Sequence, residues 1–226
     1  MAAKNNLMSQ LIFKFPFKTK YYEQDYYVSS NNFSVYRLIE NWPNWTDKWV
    51  NIFGPKGSGK THLGNILKEK INKAEIVNAK NIKNEILSKF EKLECLIIDN
   101  YDKNIDENLF YSILNQSKQL DMYIVINSVM PLKQIKHSLN DLESRTKSFV
   151  NFGIELPTDD LLRVIISKSF SDRQLTIDPK VSEFIIKNIE RSYEKVFKFI
   201  KEIDDLSLSS GKSININLIK KVLINE

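Results

Sequence analysis

Five short runs rich in Ile and Val, alternating with longer helical stretches, constrain this chain more than any other feature. The runs are "WVNIF" (49–53), "EIVN" (75–78), "CLIID" (95–99), "YIVIN" (123–127) and "FGIEL" (152–156). Helical spacing fills 31–42 ahead of them and 60–70, 81–90, 106–118 and 132–147 between them. Strands that alternate with helices predict an α/β fold with a five-stranded, mainly parallel sheet covered on both faces. From Pro157 the pattern changes to helices alone, at 158–171, 179–189, 191–207 and 214–224, with Gly211 breaking the last pair. The expected organisation is a polar and then aromatic tail over 1–20, a sheet-containing base over 21–157 and a small all-helical lid over 158–226.

Residues 54–61, "GPKGSGKT", fit G-x-x-x-x-G-K-[ST] at every fixed position and lie between a predicted strand and a predicted helix. Gly54, Gly57 and Gly59 let the backbone wrap tightly, so that the loop formed with Pro55, Lys56 and Ser58 aims N–H groups at a phosphate. Lys60 is expected to reach the terminal phosphates of a nucleotide, and the Thr61 hydroxyl to ligate Mg²⁺. The cofactors implied are ADP or ATP with Mg²⁺. Asp99 ends the third run, where ligands gather in such sheets, and is the expected metal partner. The next residue is Asn100, where a hydrolase would usually carry a second acid. Asn127 ends the fourth run and is read either as a phosphate-sensing side chain or as a turn residue before "MP".

The balance of 33 basic against 28 acidic residues gives a net charge of +5, too small for a chain that coats nucleic acid. Only five of the basic residues are Arg: Arg37, Arg145, Arg163, Arg173 and Arg191. In a sequence that uses Lys by default, each Arg is a candidate for forked contact with phosphate. Cys95 is alone, so no disulfide forms within the chain, and His62 and His137 have no partners at metal-ligand spacing. Lys14, Lys18 and Lys20 interrupt any apolar leader, and no run approaches the ~20 residues that span a bilayer. The expected location is the cytoplasm, with no membrane contact.

Taken in order, the P-loop, "IID", the polar strand end, "SR" and a helical lid resemble AAA+ ATPases of the DnaA replication-initiator group. The resemblance is closest to the Hda family, the DnaA-related regulators, in its alphaproteobacterial form. It covers essentially the whole chain through "GSGKTHL", "SDRQLTID" and "IERSYEKVFKFI". By resemblance, an Asn after the metal-binding Asp fits the regulators better than DnaA itself. Residues 10–15, "QLIFKF", are similar to the peptide that docks on the polymerase sliding clamp (beta subunit). Gln10 would make polar contacts while Leu11, Phe13 and Phe15 fill apolar pockets, the alternative being a first strand on the core. Arg145 in "LNDLESRTK" matches the family's arginine finger, which enters a neighbouring subunit's nucleotide site. The alternative is a surface Arg paired with Glu143 or Asp141. Arg191 matches the lid arginine that touches phosphates in its own chain, the alternative being an ordinary helix-terminal charge. Tyr27 and Val28 match the segment against the adenine. No helix-turn-helix is expected after the lid, so contact with DNA would be indirect.

The resemblance implies a negative regulator of replication initiation that stimulates ATP hydrolysis by DnaA while tethered to the clamp. Its own hydrolysis would be weak, and a homo-oligomer is possible. A non-catalytic AAA+ adaptor or helicase loader is the alternative. A stand-alone small-molecule kinase would need an Arg cluster near the loop, and residues 55–95 contain no Arg.

Overall fold

Residues 23–173, 177–210 and 214–224 are described by a computed structural model. Five strands form one sheet: β1 (Trp49–Phe53), β2 (Ala74–Asn78), β3 (Cys95–Tyr101), β4 (Tyr123–Ser128) and β5 (Val150–Gly153). Their order is β2-β3-β4-β1-β5, and every neighbouring pair is parallel. Parallel neighbours require crossover connections, which the intervening helices supply. Successive side chains of β3 then serve opposite faces. Cys95 and Ile97 join Val35 and Ile39 of α1 (Phe33–Glu40) and Leu63, Ile66 and Leu67 of α2 (Lys60–Lys70). Leu96 and Ile98 join Phe110, Ile113 and Leu114 of α3 (Glu107–Gln119) and Leu142 of α4 (Asn140–Lys147). Because both faces are covered, the strands read as continuous apolar runs rather than alternating ones.

One compact unit ends at Leu156 and a second begins at Pro157. The second is all helical: α5 (Asp159–Ser171), α6 (Pro179–Asn188), α7 (Tyr193–Ser210) and α8 (Ile216–Ile224). Start signals are local. The Thr158 hydroxyl accepts from Leu161 N, and Asp178 caps α6 ahead of Pro179, which needs no N–H partner at the first helical position. Leu162, Ile166, Phe170, Ile185, Val196, Phe199 and Ile219 close a core of its own. Among the described residues no helix is long and apolar enough to cross a membrane.

Three sequence expectations shift. The stretch expected as a helix over 81–90 is 3₁₀ instead, at Ala79–Asn81 and Asn84–Lys92. The helix expected over 132–147 is a single 3₁₀ turn at Leu132–Gln134 followed by α4, which starts only at Asn140. Its start is delayed because the Glu107 carboxylate accepts from Ser138 N (3.0 Å) and Leu139 N (2.8 Å), holding Leu139 extended. The last strand is Val150–Gly153, two residues ahead of the run at 152–156. Beyond Gly153 only Ile154 N still reaches Phe53 O (2.8 Å) before the chain leaves the sheet. Residues 1–20, with Gln10, Leu11, Phe13 and Phe15, and the break at Gly211 lie outside the described residues.

Candidate nucleotide site

The loop 54–59 leaves the C-terminal end of β1, which lies between β4 and β5. Gly54 N donates to Ser128 O (3.2 Å), and a side chain at Gly54 would bring its Cβ 2.7 Å from the Ile154 carbonyl oxygen. Gly59 adopts φ 90°, a left-handed conformation that glycine enters without strain. No side chain caps α2, so the positive end of its dipole faces the space that the loop encloses. Here a Cβ on Gly59 would stand 2.9 Å from Tyr26 Cε2, and the Tyr26 ring stacks on Tyr36 at 6.1 Å. The resemblance assigns Tyr27 and Val28 to the adenine rather than to this loop. The residue that meets the loop is Tyr26, while Tyr27 is exposed. An aromatic doublet before α1 was the available signal, and it does not say which ring turns inward.

Lys60 is buried, and its Nζ donates to the carbonyl oxygens of Gly54 and Pro55, both at 2.7 Å. Burial pulls its pKa down to about 8, against the opposing pull of Asp99. Asp99 collects three donors. Thr61 Oγ1 donates to Oδ2 (2.8 Å), Asn100 Nδ2 to the same oxygen (3.1 Å), and Asn127 Nδ2 to Oδ1 (2.9 Å). Asn127 Nδ2 also reaches Lys60 O (3.2 Å), which ties the end of β4 to the first residue of α2. The other amide atom, Asn127 Oδ1, is buried with no hydrogen-bond partner among the described residues. A buried acceptor left open at the strand end is available to a bound water or ligand hydroxyl.

The adjacent Thr61 hydroxyl and Asp99 carboxylate are hard oxygens of the kind Mg²⁺ takes. Among the described residues no cluster of three His, Cys, Asp or Glu could hold a metal. Thr61 and Asp99 would supply the protein side of such a site, with phosphate and water completing the shell.

Asn100 has a reason beyond chemistry. Ile98 pairs with Ile126 but Tyr101 pairs with Ser128, so β3 carries one extra residue across Asp99–Asn100. The bulge turns Asn100 to φ 57°, a region where Asn is among the best-tolerated side chains.

Of the arginines singled out in the sequence, Arg145 stands apart from this cluster. Arg145, on α4, lines a shallow pocket with Lys48, Trp49, Asp121 and Met122. Trp49 opens β1 and Met122 precedes β4, so this pocket lies at the N-terminal edge of the sheet, while the loop lies at the C-terminal edge. Five residues at about 3.3 Å each separate the two ends of β1. Glu143, one of the two partners that the alternative reading gave Arg145, pairs with Lys147 (2.7 Å). The other arginines are engaged: Arg163 with Glu183, Arg173 with Asp204, and Arg37 over the Phe33 ring. Arg191, in the helical unit, forks onto Asp159 at 2.9 and 3.1 Å. Among the described residues Arg37 and Arg145 form no ion pair, and of these two Arg37 lies over a ring while Arg145 lines the pocket at the sheet's N-terminal edge.

Known proteins share this fold. The family described as "Hda, lid domain" matches residues 159–223, and one described as "RNA helicase" matches residues 50–148, from β1 to the end of α4. A chromosomal replication initiator protein DnaA of Buchnera aphidicola is 25% identical over 218 residues, covering 84% of this chain and 48% of that protein. An uncharacterized Haemophilus influenzae protein is 23% identical, with 88% of this chain and 92% of that protein covered. The chain spans less than half the length of the DnaA relatives it matches. Domain III of Thermotoga maritima DnaA superposes with a TM-score of 0.76 at 18% identity, over 93% of this chain and 98% of that one. AMPPCP-bound DnaA from Aquifex aeolicus gives 0.64 at 21% identity, over 83% and 66%. The fold is that of an AAA+ P-loop domain with a helical lid. Within that class the chain is related to DnaA and Hda, and its helical unit is of the Hda lid type.

Proposed function

We propose that this chain regulates replication initiation by promoting ATP hydrolysis on DnaA, with Arg145 acting in trans. The observation that carries the reading is the position of Arg145. It forms no ion pair among the described residues and lies at the sheet edge opposite the chain's own nucleotide loop. From there it serves a second molecule's site rather than its own. A guanidinium placed against a reacting phosphate stabilises the charge that builds there, and such arginines are worth on the order of 10³–10⁵ in rate.

In this reading the chain's own site holds ADP or ATP and turns it over slowly. The loop of Gly54, Pro55, Lys56, Gly57, Ser58 and Gly59 cradles phosphate, and Lys60 moves its ammonium from the Gly54 and Pro55 carbonyls onto it. Thr61 and Asp99 would hold Mg²⁺, which would supply neutralisation of the phosphate charge. Asn127 presents its open amide oxygen to the same space. Asn100 accepts no proton near neutral pH, so no acid beside Asp99 polarises water. The role proposed for Arg191 at the phosphates requires it to leave Asp159. Tyr27 and Val28 are assigned to the base, and Gln10, Leu11, Phe13 and Phe15 to the sliding clamp. The DnaA relatives and the Hda-type lid support a place in replication initiation.

The test is reconstitution with ATP-loaded DnaA, clamp and DNA, following conversion to ADP. Arg145→Ala is expected to abolish the stimulation, and Arg145→Lys to restore little of it, because an ammonium lacks the planar fork. ADP binding should survive both. Normal stimulation by Arg145→Ala would sink the proposal.

A further inference from the structure

The helix that bears Arg145 is short, and it does not hold its own start. α4 has eight residues, Asn140–Lys147, about two turns, a length that is marginal in isolation. Its N-cap is Leu139, which has no side-chain oxygen to offer the first-turn N–H groups. Only Leu142 and Thr146 on this helix are buried.

What fixes its start comes from another helix. Glu107 opens α3, directly after Asp106, whose carboxylate caps that helix through Asn108 N and Leu109 N, each at 3.0 Å. Glu107 turns away from its own helix and accepts from Ser138 N and Leu139 N, 31 and 32 residues along the chain. One carboxylate oxygen serves each N–H, so both are needed. Behind this contact the His137 ring is buried, its Nδ1 3.5 Å from Glu107 Oε1, which is too long for a hydrogen bond. His137 therefore fills space behind the segment while Glu107 fixes it. The Ser138 and Leu139 N–H donors, with His137 beside them and against the opposing effect of burial, keep the Glu107 carboxyl below its ordinary range, so the contact is charged throughout the neutral region.

We infer that Glu107 is the positioning residue for Arg145, fixing from α3 the point at which α4 starts and hence the direction in which the guanidinium is presented. The inference rests on the in-trans role proposed for Arg145. Glu107 touches no nucleotide. Its effect runs through the backbone of Ser138 and Leu139 into a two-turn helix, and reacting groups displaced by an ångström lose on the order of 100-fold in rate.

Glu107→Ala and Glu107→Gln test this in the full chain. Gln keeps the size but offers one oxygen for two N–H donors, so it is expected to fall between wild type and Ala. Hydrogen exchange in 138–146 should quicken in Glu107→Ala while α2 and ADP binding stay unchanged. The maximal stimulation of DnaA should drop on the order of 10- to 100-fold. The concentration giving half of that stimulation should not move, because docking is intact. Glu107→Ala combined with Arg145→Ala should lose no more than Arg145→Ala alone. Unchanged exchange in 138–146, or a further loss in the double variant, overturns the inference. Should Glu107→Ala not fold, Glu107→Gln carries the same comparisons. A normal Arg145→Ala sinks the in-trans reading instead, and exchange then judges the fixing of α4 by itself.

Discussion

Asn100 serves its backbone first and its side chain second. At φ 57° it sits in the extra position of the β3 bulge, and its amide nitrogen stays on Asp99. An Ala in that region meets its own carbonyl at about 1–2 kcal/mol, whereas Gly does not. Asn100→Ala is expected to lower stability by about 1 kcal/mol and Asn100→Gly by less, read from denaturant midpoints at unchanged slope. Equal losses would show that the side-chain bond, not the conformation, matters. Asn100→Asp would place a second acid against Asp99, where an amide now donates. Lys60 gives a second expectation at this scale. With its pKa near 8, about half of the unliganded protein lacks the Lys60 proton at pH 8, and phosphate favours the charged form. ADP binding at pH 8 should therefore take up as much as half a proton, fading by pH 6.5. Calorimetry in buffers of different ionisation heat measures it, and heats independent of buffer at pH 8 would refute it.

Among the elements, those specified by neighbours in sequence were the ones legible from it. The loop at 54–61 carries its own glycines, α6 its Asp178 cap and Pro179, and β3 its apolar run up to Asp99. Less legible were segments shaped by distant partners. The spacing of Ile82, Ile86 and Phe90 suits an α-helix, yet the chain packs there as 3₁₀ turns against the α3 face. The late start of α4 depends on a carboxylate 31 residues earlier meeting two backbone N–H groups, and a backbone partner has no residue identity to read. Tyr26 was hidden beside Tyr27 for a similar reason. The corner where α3 meets α4 also has a pH response. Burial lowers the His137 pKa from its ordinary 6.5, partly opposed by Glu107 and Glu143 and reinforced by Lys103. A base whose folded pKa is depressed contributes fully above its unfolded pKa, and stability declines as pH falls below it. The melting temperature should therefore fall between pH 6.5 and 5.5, and His137→Leu should flatten that slope. An unchanged slope in the variant would place the titration elsewhere.

At the scale of the whole molecule, the two units bury separate cores, one on both faces of the sheet and one among four helices. The composition and the break in pattern at Pro157 made that division readable, because each core needs its own periodicity. The strand order is a different matter, since no residue in β1 names its neighbours. That order has a consequence for how the chain is made. Strand β1, the first to leave the ribosome, lies between β4 and β5, the last two, and β2 and β3 must pair without it. Asn51 in β1 closes on Ser128 across 77 residues, and the loop at Gly54 is walled by Ile154. Contacts so distant in sequence close slowly, since the intervening chain must first surrender its freedom. A nascent chain thus carries its phosphate loop exposed and unformed until β5 has been synthesised. Nucleotide cannot assist the early steps of folding, only trap the sheet once its last strand has arrived.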